Sequence, residues 1–305
     1  MLQAVIDKEI TLYDHETVVD AKGRRLIGFG RYAGIVGTYN AFRAFGFKYE
    51  LFSLPKAETL AGINALTGRL KRLVLPPLKI VLTGQGKVGM GVKEVLDSMK
   101  VKQVSVENFL SKIYSSPVYV QLDVLDYNRL TNGDVSESCA DFINDPTKYS
   151  SDFARFANVA DIYIAGHFHA GNAPHILTRD MLRDKNNKIK VVADISCDVA
   201  GPIACTVRAA TITEPVYGYN PSTDTETDVH HPAAITVMAV DNLPCELPRD
   251  ASEGFGEMFL AHVVPAFYND DKDGILKRAM ITQYGRLTER YSYLSDYVKQ
   301  NEPHL

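Results

Sequence analysis

The run KIVLT at Lys79–Thr83, followed at once by GQGKVGMG and then by a helical pattern over Val88–Met99, constrains the fold of this chain more than any other feature. A β-branched apolar run of strand length, a glycine-rich turn and a helix form the opening of a nucleotide-binding βαβ unit. Gly84, Gly86 and Gly89 keep the G-x-G-x-x-G/A spacing, with Gly91 just beyond. In that spacing the first glycine makes the turn and the second lets the backbone approach a pyrophosphate, which then faces the amides and dipole of the helix N-terminus. The candidate cofactor loop is Gly84, Gln85, Gly86, Lys87, Val88 and Gly89. Glu107 closes the next strand candidate, Gln103–Val106, where an acid accepts from the adenosine ribose hydroxyls. A glutamate there repels a 2′-phosphate, so NAD is expected, with NADP as the second candidate because Lys102 and Lys112 lie nearby. A plain strand-to-helix turn with a solvated glutamate is the competing reading.

Further strand candidates are Glu9–Tyr13, Arg25–Phe29, Val118–Leu122, Ile162–Ala165, Lys190–Ile195 and Ala234–Val240. Helical patterns cover Tyr32–Phe45, where Gly34 and Gly37 allow close packing against a neighbouring backbone, and Leu247–Phe267. Asp20–Arg24 reads as a turn centred on Gly23, and Tyr217–His231 as a polar, turn-rich stretch. Strands alternating with helices predict an α/β fold, a Rossmann-like doubly wound parallel sheet, here with the remnant of a second α/β catalytic domain. The expected organisation is residues 1–30 as that remnant, 31–284 as the nucleotide-binding domain, and 285–305 as a carboxy-terminal helical segment returning to the catalytic domain.

A length of 305 residues accommodates one large core or two modest ones. With a formal net charge of -4 and 23% charged residues, nothing biases the chain toward nucleic acid or anionic membranes. The apolar runs fall short of the roughly 18 residues that span a bilayer. Cys139, Cys197, Cys205 and Cys245 are widely spaced and form no CxxC pair, which argues against a zinc site or a disulfide framework and for a reducing cytoplasm. His167 and His169 lack further clustered ligands, so no metal is expected. The opening MLQAVI reads as an apolar helical face with no capping residue ahead of it, as if the chain began inside a longer one.

Three longer motifs, GRRLIGFGRYAGIVG (Gly23–Gly37), VVADISCDVAGPI (Val191–Ile203) and AVDNLPCELPRDASEGFG (Ala239–Gly256), occur in order. Over about Thr11–Pro265 the chain resembles the lysine-forming saccharopine dehydrogenases and the lysine-ketoglutarate reductase half of bifunctional lysine-degrading enzymes, within the alanine dehydrogenase and transhydrogenase superfamily. The resemblance implies an NAD-dependent amino-acid dehydrogenase that oxidises the secondary amine of saccharopine to an imine, which water splits into lysine and 2-oxoglutarate, or runs the reverse. Its partners would be small amino-acid and 2-oxo-acid substrates. By the same resemblance Glu16 helps order the active site, Arg25 holds a substrate carboxylate through its planar fork, and Phe29 walls the pocket. Asp198, rather than Asp194, is the active-site aspartate near nicotinamide and amine, where a carboxylate stabilises a developing iminium charge. Gly166, His167 and Phe168 fall on a loop along the cofactor ribose and nicotinamide.

The family also carries an amino-terminal segment with a lysine and a histidine acting as acid and base, to which no residue here corresponds, so no general base is assigned. The expectation is that cofactor binding survives while turnover is very slow or absent. An apolar face left exposed would promote a homodimer or poor solubility. The rival readings are an alanine dehydrogenase-like enzyme and a module that binds NAD(H) without chemistry.

Overall fold

The computed structural model describes residues 1–136 and 138–299. The chain divides into two compact units, Gly30–Asp250 on one side and Met1–Phe29 with Ala251–Leu305 on the other.

The larger unit is built on an eight-stranded sheet. Its strands are β1 (Lys79–Thr83), β2 (Lys102–Gln103), β3 (Val118–Leu122), β4 (Ile162–Ala165), β5 (Val191–Asp194), β6 (Val216–Asn220), β7 (Thr225–Thr227) and β8 (Ile235–Met238). The spatial order is β2-β3-β1-β4-β5-β8-β6-β7. The first six of these run parallel, and β6 and β7 add antiparallel to that edge. The mixed α/β architecture with a parallel-rich central sheet is the one expected of a Rossmann-like chain.

Successive side chains alternate between two buried layers, as the two-residue period of a strand requires. Ile80, Leu82, Ile162, Ile164, Val191 and Ala193 face a core shared with α1 (Gly30–Tyr49) and α2 (Lys87–Ser98). Val81, Val120, Tyr163, Ala165 and Val192 face the opposite core. Both faces being dry, the central strands β1, β3, β4 and β5 read as near-continuous apolar runs. Within the first layer α1 crosses α2 at Gly34, where an added Cβ would collide with the Val88 carbonyl and stand 3.0 Å from the Gly91 Cα. Glycine at 34 thus sets the helix separation, and this crossing fixes the start of α2 against the sheet.

In the smaller unit Leu12–Tyr13 pairs antiparallel with Met280–Gln283, which pairs with Arg286–Leu287. Val18, Ile27, Val263, Ala266, Leu276 and Ala279 make its core. These contacts draw 251–284 into the unit containing the chain start, whereas the sequence reading put that stretch with the nucleotide-binding domain. Residues 300–305 of the expected carboxy-terminal segment lie outside the described residues.

Several local expectations change. Arg25–Phe29 is not a strand; only Arg25 makes a bridge, to Val19. The helix expected over Leu247–Phe267 is two helices, Pro248–His262 and Val264–Tyr268, because Pro265 cannot continue the hydrogen-bond ladder of the first. The stretch Tyr217–His231 contains the β6–β7 hairpin.

Candidate functional site

The carboxyl end of β1 runs directly into the glycine loop. Gly84 sits at φ +98°, and a Cβ there would stand 2.5 Å from the Gly166 carbonyl oxygen, so only glycine fits without displacing backbone. Its amide donates to the Leu122 carbonyl (3.2 Å) and its carbonyl accepts from Gln121 Nε2 (3.0 Å), which tie the turn to β3. A side chain at Gly89 would collide with the Gly84 carbonyl. Gly86 differs from both: nothing lies within 4 Å of its would-be Cβ. Two glycines are there for packing, and the middle one leaves open space.

That space lies at the start of α2, for which Gly86 is the N-cap. The first backbone amides of a helix have no partner four residues back, and with the helix dipole they favour an anion. The open cradle at Gly86 and these amides fit the pyrophosphate of a dinucleotide. Gln85 and Lys87 are exposed beside it and Val88 is half-buried.

Glu107 is not at the end of the neighbouring strand. It occupies the first turn of α3 (Val106–Ser111), which Ser105 caps, beyond the edge strand β2. The strand beside β1 is β3, and the residue closing it is Asp123. The Asp123 Oδ1 accepts from the Leu125 amide (3.3 Å) and the Cys139 thiol (2.8 Å), and its own amide donates to Asp126 Oδ2 (2.7 Å). The carboxylate is thereby oriented at the carboxyl edge of the sheet. Its sequence signal was available, as an acid ending an apolar strand run, but the inserted β2–α3 segment puts a nearer acid in the way.

Gly166 and His167 follow β4, next to β1. The Gly166 amide donates to the Thr83 carbonyl (3.0 Å). His167 is buried, with Nδ1 2.8 Å from Thr83 Oγ1, which also lies 3.1 Å from the Tyr163 hydroxyl. Burial, helped by His169, pushes the imidazole down to about 4, so the ring is neutral near pH 7. Its Nε2 is buried without a hydrogen-bond partner. Phe168 is exposed.

The loop after β5 is organised by Asp194. Its Oδ1 accepts from Ser196 Oγ (2.6 Å) and from the amides of Ser196 and Cys197 (both 3.1 Å), and its Oδ2 from Thr206 Oγ1 (2.6 Å). Burial raises this carboxyl's pKa against the opposing pull of those hydrogen bonds. Cys197 and Ala200 are held at positive φ (+53° and +54°), a strained pair that brackets the exposed Asp198. Asp194 thus supports the loop while Asp198 is presented on it. The Ile195 amide donates to the Ala165 carbonyl (3.1 Å), joining this loop to the end of β4. The candidates Gly84–Gly89, Gly166–Phe168 and Asp198, with Asp123, thus come together along one edge of the sheet, beside the β3-β1-β4 switch point where α/β sheets bind ligands.

Glu16, Arg25 and Phe29 belong to the smaller unit. Arg25 Nη2 and Glu16 Oε2 form an ion pair of 2.5 Å, and Glu16 Oε1 is 3.2 Å from His15 Nε2. Phe29 stacks on Phe255 (4.8 Å between centroids, 9° between planes), and Phe255 also meets the His15 ring edge-on at 5.9 Å. An aromatic shelf thus adjoins the Arg25–Glu16 pair, and Phe255 is a member that sequence reasoning did not single out. Among the described residues no group of three or more His, Cys, Asp or Glu is placed to hold a metal ion. No helix among them is long and apolar enough to cross a membrane.

A family model described as alanine dehydrogenase/PNT, C-terminal domain, matches residues 114–290. Alpha-aminoadipic semialdehyde synthase of Arabidopsis thaliana is 27% identical over 342 residues, covering 99% of this chain and 32% of that protein. The mitochondrial alpha-aminoadipic semialdehyde synthase of Rattus norvegicus is 25% identical over 355 residues, covering 99% of this chain and 38% of its own length. The NAD(+), L-lysine-forming saccharopine dehydrogenase of Yarrowia lipolytica is 25% identical over 254 residues, covering 82% of the chain and 60% of that protein. This chain therefore spans about a third of the length of the two synthases it matches. Among solved structures an L-alanine dehydrogenase superposes with a TM-score of 0.56 at 16% identity, covering 97% of this chain and 72% of that one, a likeness of fold.

Proposed function

This chain belongs to the alanine dehydrogenase/PNT C-terminal domain family, and from that premise we propose that it is a pyridine-nucleotide-dependent amino-acid dehydrogenase of the saccharopine dehydrogenase type. The reaction is saccharopine, NAD and water giving lysine, 2-oxoglutarate, NADH and a proton, or its reverse. The observation that carries the reading is the contrast within the glycine loop. Gly84 and Gly89 are filled in by neighbouring backbone, whereas Gly86, the N-cap of α2, leaves open space at the helix N-terminus.

In this proposal the amides at Gly86, Lys87, Val88 and Gly89 hold the pyrophosphate, with Gln85 alongside. Asp123 accepts from the adenosine ribose hydroxyls in place of Glu107, and its negative charge disfavours a 2′-phosphate, so NAD is preferred to NADP. Gly166, neutral His167 and Phe168 line the ribose and nicotinamide side. The bound nicotinamide supplies the hydride acceptor for the substrate C–H bond. Arg25, oriented by Glu16, takes a substrate carboxylate in its planar fork, and Phe29 on Phe255 shields the apolar part of the substrate. Asp198 places a negative charge where the amine nitrogen becomes an iminium. The free thiols fit a reducing compartment such as the cytoplasm.

The test is a titration with NADH and NADPH, read from cofactor fluorescence, which the absence of tryptophan leaves free of energy transfer from that residue. Saturable NADH binding that is stronger than NADPH binding supports the reading. Binding of neither overturns it. Comparing lysine plus 2-oxoglutarate with pyruvate plus ammonia as reductive substrates then separates the saccharopine from the alanine branch.

A further inference from the structure

A cavity of the Gly30–Asp250 unit, about 760 Å³, is distinct from the glycine loop. It opens between the carboxyl-terminal half of α1 and the β6–β7 hairpin, and its volume is that of an ordinary small-molecule site. Gly30, at the start of α1, lies against Lys87 and Val88 of the loop, while Arg43 is thirteen residues further on (43 − 30), so the two sites stand about 20 Å apart along one helix.

The polar groups of this cavity are unbalanced in an informative way. Asn40, 1% exposed, lines it and donates through Nδ2 to Glu246 (2.8 Å), yet its Oδ1 is buried with no hydrogen-bond partner. One turn on, Arg43 also lines the cavity, and its Nη1 is buried without a partner. Buried polar atoms are normally satisfied, and leaving one unpaired costs about 1–3 kcal/mol. Here an acceptor and a cationic donor are left open side by side.

The lining also includes the apolar Phe52, Leu54 and Val216, and its exposed mouth carries the carboxylates Glu50, Glu214 and Asp228. Another acid, Glu226, is already taken by Arg208 in a two-point pair (2.8 Å each). The frame is held firmly: Lys48 of α1 donates to the Val229 and Ala234 carbonyls (3.1 and 2.7 Å), and Phe47 packs on His230 at 4.9 Å. Such a site matches a molecule with a carboxylate for Arg43, an N–H donor for Asn40, an aliphatic middle and a cationic far end for the acidic mouth.

We propose that this cavity is a second ligand site that binds a free amino acid with a long cationic side chain, its carboxylate on Arg43 and its α-ammonium on Asn40. The experiment is calorimetric titration of the full chain with L-lysine. It is done in an Arg25→Ala background, so that the proposed substrate site does not contribute. Glutarate and norleucine serve as comparators, and each variant's circular-dichroism melt as a check of folding. One saturable lysine site is expected, weakened at least tenfold by Arg43→Gln, since a charge-assisted bond is lost, and abolished by Ser53→Trp, which fills the mouth from an exposed position. Norleucine, lacking the far cation, binds more weakly. The proposal is overturned if lysine does not bind, if folded Ser53→Trp protein binds it unchanged, or if glutarate binds and lysine does not.

Discussion

Thr83 Oγ1 and His167 Nδ1 meet at 2.8 Å across the carboxyl ends of two adjacent parallel strands, and the imidazole in this contact is too deeply buried to accept a second proton near neutrality. Its pKa falls from an ordinary 6.5 to about 4, with burial the larger cause and His169 the smaller. A depressed folded value means that the unfolded chain binds the proton first. The stability tied to a neutral His167 is therefore intact above about pH 6.5 and lost progressively as pH falls toward about 4. Over that window the wild type should lose up to about 3 kcal/mol more than a His167→Gln variant. Urea unfolding at both ends of the window measures this difference, and equal losses would mean that the ring titrates normally.

The glycine loop separates packing from binding. Gly84→Ala combines positive φ with a Cβ 2.5 Å from the Gly166 carbonyl oxygen. It should lower stability by about 1–3 kcal/mol or more, seen as a lower melting temperature. Gly86 has φ −76° and open space around it. Gly86→Ala should therefore melt within a degree or two of wild type, by roughly the few tenths of a kcal/mol expected at an N-cap, while NADH affinity drops at least tenfold. A variant that keeps full NADH affinity would remove the phosphate from this loop.

What could be read from the sequence follows from what is local. Lys79–Thr83, Val118–Leu122 and Ile162–Ala165 are strands at the expected boundaries because strands buried on both faces show as near-continuous apolar runs. The turn at Gly23 is likewise where it was expected, at φ +76°. Glu107 was misplaced because sheet order is not a local property: β2 comes next in sequence but lies at the edge, and β3 takes the place beside β1. The β6–β7 hairpin was hidden by its polar, edge-strand composition, with Pro221 and Asp224 in the turn. Asp194 and Asp198 look equivalent in VVADISCDVAGPI, and only the four hydrogen bonds converging on Asp194 tell the anchoring acid from the presented one.

That correction makes its own prediction. Asp123→Asn keeps an oxygen for the Leu125 amide and the Cys139 thiol but removes the negative charge that the proposed function sets against the adenosine ribose. NADH affinity should fall about tenfold, the loss of one charge-assisted hydrogen bond, and the preference over NADPH should narrow as repulsion of the 2′-phosphate disappears. Glu107→Ala, on the exposed first turn of α3, should change neither by more than about twofold, within the range of surface substitutions. Fluorescence titration of both variants with both nucleotides decides it, and the reverse pattern would return the role to Glu107.

A second buried group acts on stability in the opposite direction from His167. Glu246 is 1% exposed, and burial raises its carboxyl to about 7, partly offset by the Asn40 hydrogen bond and by Arg43. A raised folded value means that the native state keeps the proton longer than the unfolded chain. The favourable contribution is complete below about pH 4.5 and lost as pH rises through about 7. Glu246→Gln keeps an acceptor for Asn40 Nδ2 with nothing to ionise. The variant should match wild type at about pH 4.5 and exceed it at about pH 8 by up to about 3 kcal/mol. Urea midpoints across that range test the sign as well as the size, because a carboxylate stabilised by Arg43 would instead make the variant weaker at high pH.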